Sequence, residues 1–137
     1  MGLILDSSVL IAAERKGQTV RQVLAWVQKQ HPGEEIAVSV LTLFELSHGA
    51  ARANSSARLA ARNQFIHDIV RVIPVHALTV SIALRAGQID GECASRGVRV
   101  AISDLLIGVT ALELGYGVAT GNVRHFQMVP GLTIVAM

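Results

Sequence analysis

A single cysteine, Cys93, stands in this chain of 137 residues, so no intrachain disulfide can form. That usage points to a reducing compartment such as a bacterial cytosol. Cys93 lies in a helical run without a histidine-rich neighbourhood and reads as a packed thiol, because a nucleophile would need an activating base. Charge is sparse at 16% of residues, which argues against a disordered chain. No apolar run approaches the ~20 residues of a membrane-spanning helix. The stretch from Val100 to Leu114 comes nearest, and Ser103, Asp104, Gly108, Thr110 and Glu113 interrupt it. The opening MGLILDSSVL has neither the basic start nor the small-residue cleavage site of a secretory leader. The expectation is a soluble, cytoplasmic protein with no membrane contact. No Cys/His spacing suited to a zinc site is present.

Apolar residues make up 51% of the chain, enough for a full core, and the length suits one domain spanning 1–137. The net charge of +2 and pI of about 9.2 form a mild basic bias, compatible with a phosphate-bearing partner. Lysine occurs only as Lys16 and Lys29, so ten of the twelve basic residues are arginine. Arginine suits bidentate contacts to phosphate or carboxylate.

Strands and helices alternate along the chain. Gly2–Leu5 reads as a buried strand ending at Asp6, and Ser7–Glu14 as a helix capped by Asp6 or Ser7. Thr19–Gln30 is expected to be helical and stopped by His31-Pro32-Gly33. Ile36–Val40 reads as a strand, Thr42–Arg52 and Ser55–Val70 as helices, and Val72–Val75 as a brief strand. Thr79–Arg96 reads as a long helix closed by Gly97 in a left-handed conformation. Ser103 is expected to cap a helix running to Leu114, with Gly115 ending it. Gly117–Thr120 and Leu132–Val135 complete the strands. Such alternation predicts an α/β fold, a three-layer α/β/α sandwich around a parallel sheet. The consecutive apolar positions of Leu3-Ile4-Leu5 suit a strand covered on both faces.

Ligands of open parallel sheets bind beyond the carboxyl ends of the strands. Asp6 ends the first strand, Glu45 lies early in the helix after the second, and Asp104 starts a later helix. Thr120, Gly121 and Asn122 follow the next strand. Each acid has a plainer reading. Asp6 could be an N-cap, Asp104 a first-turn acid favoured by the helix dipole, and Glu45 part of a solvated stripe with Thr42, His48 and Arg52. Together they are harder to dismiss, since Asp6 and Asp104 are flanked by apolar residues. Carboxylates brought close raise one another's pKa or demand a cation. With oxygen ligands only, the cation would be Mg²⁺ or Mn²⁺. Such a site suits phosphodiester hydrolysis by metal-activated water.

These residues resemble a known family. Leu3-Ile-Leu-Asp-Ser-Ser-Val-Leu-Ile11 is similar to the opening of PIN-domain nucleases, with Asp6 and Ser8 in the motif positions. Val40-Leu-Thr-Leu-Phe-Glu-Leu-Ser-His-Gly49 resembles the second motif, with its acid at Glu45. Ser103-Asp104-Leu-Leu-Ile107 resembles the third. Val118-Ala-Thr-Gly-Asn-Val-Arg-His-Phe126 resembles the last, with Thr120 and Asn122. The order and spacing match from end to end and are closest to the VapC-like toxins of that family. The resemblance implies a Mg²⁺-dependent endoribonuclease, the toxin of a type II toxin–antitoxin pair. Asp6, Glu45 and Asp104 would hold the metal, with Asn122 beside them in catalysis. Ser8, Thr120, Arg124 and His125 would support the site or the substrate. It further implies an RNA substrate, a cognate antitoxin and a homodimer. The helices from Thr42 to Val70 would form a hairpin arm, with Phe44, Leu59, Phe65 and Ile69 as candidate contact residues.

In one respect the chain departs from the family. Asn122 and His125 stand where the last motif often carries an Asp, which motivates an alternative, a catalytically inactive PIN-like module that binds RNA or protein. A receiver-like phosphoryl-transfer protein would need a lysine beyond a later strand, and both lysines come early.

Overall fold

The computed structural model describes residues 1–137. Five strands run β1 (Gly2–Leu5), β2 (Glu35–Ser39), β3 (Val75–His76), β4 (Gly117–Thr120) and β5 (Ile134–Ala136). Six helices run α1 (Ser7–Arg15), α2 (Val20–Gln30), α3 (Val40–Ala51), α4 (Ser56–Val72), α5 (Val80–Ser95) and α6 (Ile102–Leu114). A short 3-10 turn, Val123–Phe126, follows β4. All strand pairs are parallel, in the order β3-β2-β1-β4-β5.

That order has a consequence for function. From β1 the chain steps outward to β2 and β3, then returns to add β4 and β5 on the other side of β1. The order therefore reverses between β1 and β4, and a crevice opens at their carboxyl ends.

Alternate residues of the central strands face opposite layers. Leu3, Leu5, Ile36 and Val38 pack with α1, α2, Leu46 of α3, and Phe65 and Ile69 of α4. Ile4, Ala37 and Val118 face the other way, against Ile107 and Ala111 of α6 and against Phe126. α5 closes over α6 through Ile82, Ala86, Ile89 and Cys93. Full burial of each such valine, leucine, isoleucine or phenylalanine side chain contributes roughly 1.5–3 kcal/mol. Helices thus cover both faces, giving the expected sandwich, and Cys93 is a buried thiol.

Several boundaries differ from the sequence reading. α3 begins at Val40, because the Ser39 hydroxyl accepts from the Leu41 N–H and caps the helix there. α4 continues through Val72, and Pro74 delays β3 to Val75–His76. The last strand starts two residues later than expected, after Gly131 turns the chain with φ +78°. The N-cap of α6 is Ala101, without a side-chain cap, and Ser103 lies inside the first turn. Phe65 and Ile69 are core residues, whereas Phe44 is 65% exposed and Leu59 40%. Of the four arm residues named above, only those two present surface. Gly97 and Gly115 do take left-handed conformations, at φ +71° and +70°.

Candidate active site at the carboxyl edge of the sheet

Asp6 leaves β1 in an extended conformation, and its N–H donates to the Ala119 carbonyl at 2.9 Å, extending the β1–β4 ladder. Although it occupies the N-cap position of α1, its side chain caps nothing. Instead Asp6 Oδ2 accepts from the Ser8 hydroxyl at 2.7 Å and the Thr120 hydroxyl at 2.9 Å. Ser8 Oγ accepts in turn from the Gly121 N–H at 2.9 Å, and Thr120 Oγ1 from the Asn122 N–H at 2.9 Å. Asp6 is buried, 3% exposed. The N-cap explanation of Asp6 therefore fails, and a frame of hydroxyls fixes the carboxylate instead.

Glu45 comes from α3. One turn earlier, the buried Thr42 hydroxyl donates to the Leu5 carbonyl at 3.3 Å, tying this helix to the end of β1. Residues three apart share a helix face, so the tie directs Glu45 toward Asp6. The Ser7 hydroxyl donates to Glu45 Oε1 at 3.2 Å. Glu45 is half-buried and no part of a solvated stripe. Burial pushes its pKa above the ordinary carboxylate range, the charges of Asp6 and Asp104 push it further, and hydrogen bonds from Ser7 and Ser103 partly offset this.

Asp104 sits in the first turn of α6 and is also buried. Its pKa is raised by burial and then by Asp6, while His125 acts in the opposite direction. His125 Nδ1 lies 3.3 Å from Asp104 Oδ2. The three carboxylates thus sense one another's charge across the crevice. They are not drawn into a closed three-ligand cluster, as expected of like charges that repel. Asp6, Glu45 and Asp104 are the residues here that could hold a cation.

The remaining expected residues divide. Ser8, Thr120 and His125 touch the carboxylates directly. Asn122 is exposed and contributes its N–H to the frame, and it lines a cleft with Ser7, Ser8 and Arg15. Arg124 is exposed and joins none of the three ion pairs. Ser7, Ser103 and Arg15 were not anticipated. For Arg15 a signal existed, since residues 8, 11, 12 and 15 fall on one face of α1 at helical spacing.

Comparison with known proteins identifies the family and the fold. The PIN domain family matches residues 3–131, and the chain belongs to that family. Its relatives are VapC ribonucleases. Ribonuclease VapC1 of Rickettsia felis is 27% identical over 137 residues, covering 100% of this chain and 97% of the relative. The tRNA(fMet)-specific endonuclease VapC of Salmonella typhimurium is 30% identical over 99 residues, covering 72% and 73%. Among solved structures, VapBC2 from Rickettsia felis bound to a promoter DNA fragment superposes with a TM-score of 0.83 at 18% identity, covering 100% of this chain and 99% of that one. No helix is long and apolar enough to cross a membrane.

Proposed function

We propose that this chain is a metal-dependent endoribonuclease, the toxin of a toxin–antitoxin pair, working in the cytoplasm. The observation that carries the reading is the gathering of three acids at the carboxyl edge of the sheet: Asp6 held by Ser8 and Thr120, Glu45 held by Ser7, and Asp104 beside His125 of the loop after β4. An all-oxygen donor set of this kind suits Mg²⁺ or Mn²⁺. When bound, such an ion supplies positive charge for the phosphate and a water of lowered pKa.

The chain's own residues do the rest. Ser8 and Thr120 hold Asp6 in one orientation through Oδ2, which leaves its other carboxylate oxygen free of these bonds for a cation. Ser7 does the same for Glu45. His125 favours the ionised form of Asp104 and stands at the mouth of the site, where it can contact a phosphate oxygen. Arg15 and Asn122 line the cleft beside Ser7 and Ser8 and would meet the RNA backbone there.

An antitoxin is the expected protein partner, because solved relatives of this fold are toxin–antitoxin complexes. Exposed Phe44, adjacent to Glu45, would lie at the edge of its contact surface, and a homodimer is expected through the α3–α4 arm.

Purified protein freed of antitoxin should cleave a total RNA pool with Mg²⁺ and stop on chelation. Asp6→Asn and Asp104→Asn should each abolish cleavage while melting as folded proteins. Cleavage unaffected by chelator and by both substitutions would overturn the reading. A second reading, a non-catalytic binding module, rests on Asn122 in place of an acid. It would be favoured by RNA binding without cleavage at any metal concentration.

A further inference from the structure

We propose that a cavity beside the carboxylates, walled by Trp26, is a subsite for one unpaired RNA base flanking the scissile phosphate. The inference rests on the ribonuclease reading above and adds the part of the substrate that this pocket selects. The cavity has a volume of about 200 Å³, below the roughly 300–1,000 Å³ of clefts for drug-sized ligands. A single planar ring suits it better than a dinucleotide or a helix.

Its position links it to the chemistry. The inner wall is Ser8 and Gly121, two members of the hydrogen-bonded frame around Asp6. Ser8 both lines the cavity and donates to Asp6 Oδ2, so a group seated there adjoins the residue that orients this carboxylate. Trp26, Lys16, Gln18 and Met137 line it as well, together with the apolar Val9, Ala12 and Ala13 of α1.

The chemistry of the walls suits a nucleobase. Trp26 is the chain's one tryptophan and is 42% exposed, although Val23 and Val27 on either side of it in α2 are fully buried. An aromatic side chain left at a cavity beside a phosphodiester site offers a stacking face for a base. Lys16 is exposed and joins none of the three ion pairs, so its charge is free for the phosphate attached to that base. Gln18 presents both a donor and an acceptor to a base edge. A base in duplex RNA is stacked and cannot enter, so the pocket selects unpaired loops or ends.

The sole tryptophan makes the test direct, because tryptophan emission, excited selectively over that of Tyr116, comes from this pocket alone. Titration of Asp6→Asn protein with a ten-residue single-stranded oligoribonucleotide should quench Trp26 saturably, and a blunt duplex should not. In the active protein, Trp26→Ala should raise KM for single-stranded RNA about tenfold, as for loss of one stacked base, with kcat nearly unchanged. Trp26→Phe should recover most of the loss, and Lys16→Gln should weaken binding and flatten its salt dependence. Unchanged emission with every RNA, while wild-type cleavage proceeds and Trp26→Ala cleaves with the parental KM, would overturn the subsite and leave the nuclease reading intact. Absence of wild-type cleavage alongside saturable quenching would sink the nuclease reading and not the subsite. Emission that responds to bound antitoxin and not to RNA would assign the pocket to the protein partner and defeat the proposal.

Discussion

The Thr120 hydroxyl donates a 2.9 Å hydrogen bond to Asp6 Oδ2, joining residues 114 apart in sequence across the ends of adjacent strands. Thr120 Oγ1 also accepts the Asn122 N–H, so Thr120 is the hinge between the carboxylate and the loop beyond β4.

Thr120→Val should keep the fold and lose activity. Valine preserves the shape but not the hydroxyl, leaving Asp6 with one donor fewer and the Asn122 N–H without its acceptor. Groups that orient metal ligands typically matter by 10–100-fold, and a fall in kcat/KM of about that size is expected. Thr120→Ser should recover much of it. Equal rates for valine and serine variants would show that the hydroxyl frame is irrelevant to catalysis.

Without metal, the charges of Glu45 and Asp104 should weaken the fold as pH rises. Glu45 and Asp104 have raised pKa values in the folded state, so between the ordinary and the raised values the native protein binds more protons than the unfolded chain. Stability from these groups is therefore greatest below the ordinary carboxylate range of about 4 and is lost as pH rises through the raised values. In chelator at pH 7 to 8, Asp104→Asn should melt a few degrees above wild type, and the gap should close near pH 4. Thermal melts against pH check this, and a variant of equal or lower Tm throughout would refute it.

Added Mg²⁺ should reverse that ranking. A ligand bound only by the native state stabilises by about 2.7 kcal/mol at a hundred times its Kd. Wild type should gain Tm with Mg²⁺ concentration, whereas Asp104→Asn and Glu45→Gln should gain far less. The same rise in all three would place the binding elsewhere.

His125 opposes the upward shift of Asp104 from 3.3 Å away. In His125→Gln that influence is gone, Asp104 stays protonated to higher pH, and the acid limb of the kcat/KM profile should move upward. An unmoved limb would mean either that Asp104 does not govern it or that the imidazole carries no charge there.

Gly49 should be required by its neighbour and not by its helix. A Cβ there would come 2.6 Å from Arg62 Nη1. Arg62 cannot swing aside freely, since it binds Glu14 through Nε and Nη2 and donates from Nη1 to the Leu46 carbonyl. Gly49→Ala should lower Tm in the wild-type background. In Arg62→Ala, where the clash is absent, it should raise stability by up to about 1 kcal/mol through helix propensity. Identical effects in both backgrounds would show no coupling.

Much of the architecture was readable because its signals are local. Leu3-Ile4-Leu5 is apolar at every position, and the strand is buried on both faces as such a run requires. Gly97 and Gly115 end helices in a conformation that other residues adopt only at a cost, so each stop can be read from one residue. Ser103 misled because a serine ahead of an apolar helix looks like a cap. It lies inside the first turn instead, near Glu45, a residue 58 positions away in the chain and invisible to local reading. Phe65 and Ile69 misled in another way. An apolar stripe shows that a helix face will be covered but not by what, and here the sheet covers these two while Phe44 stays outside.

By itself the sequence determined the alternation of strands and helices, the parallel sheet it demands, and the presence of acids just past apolar strands. These follow from periodicity and burial, which neighbouring residues decide among themselves. Only the tertiary structure decided that Thr120 would clasp Asp6, that His125 would face Asp104, and that Trp26 would wall a cavity beside Ser8. Those contacts depend on β1 lying beside β4 and on the angle at which helices settle onto the sheet, quantities set by packing of the whole chain.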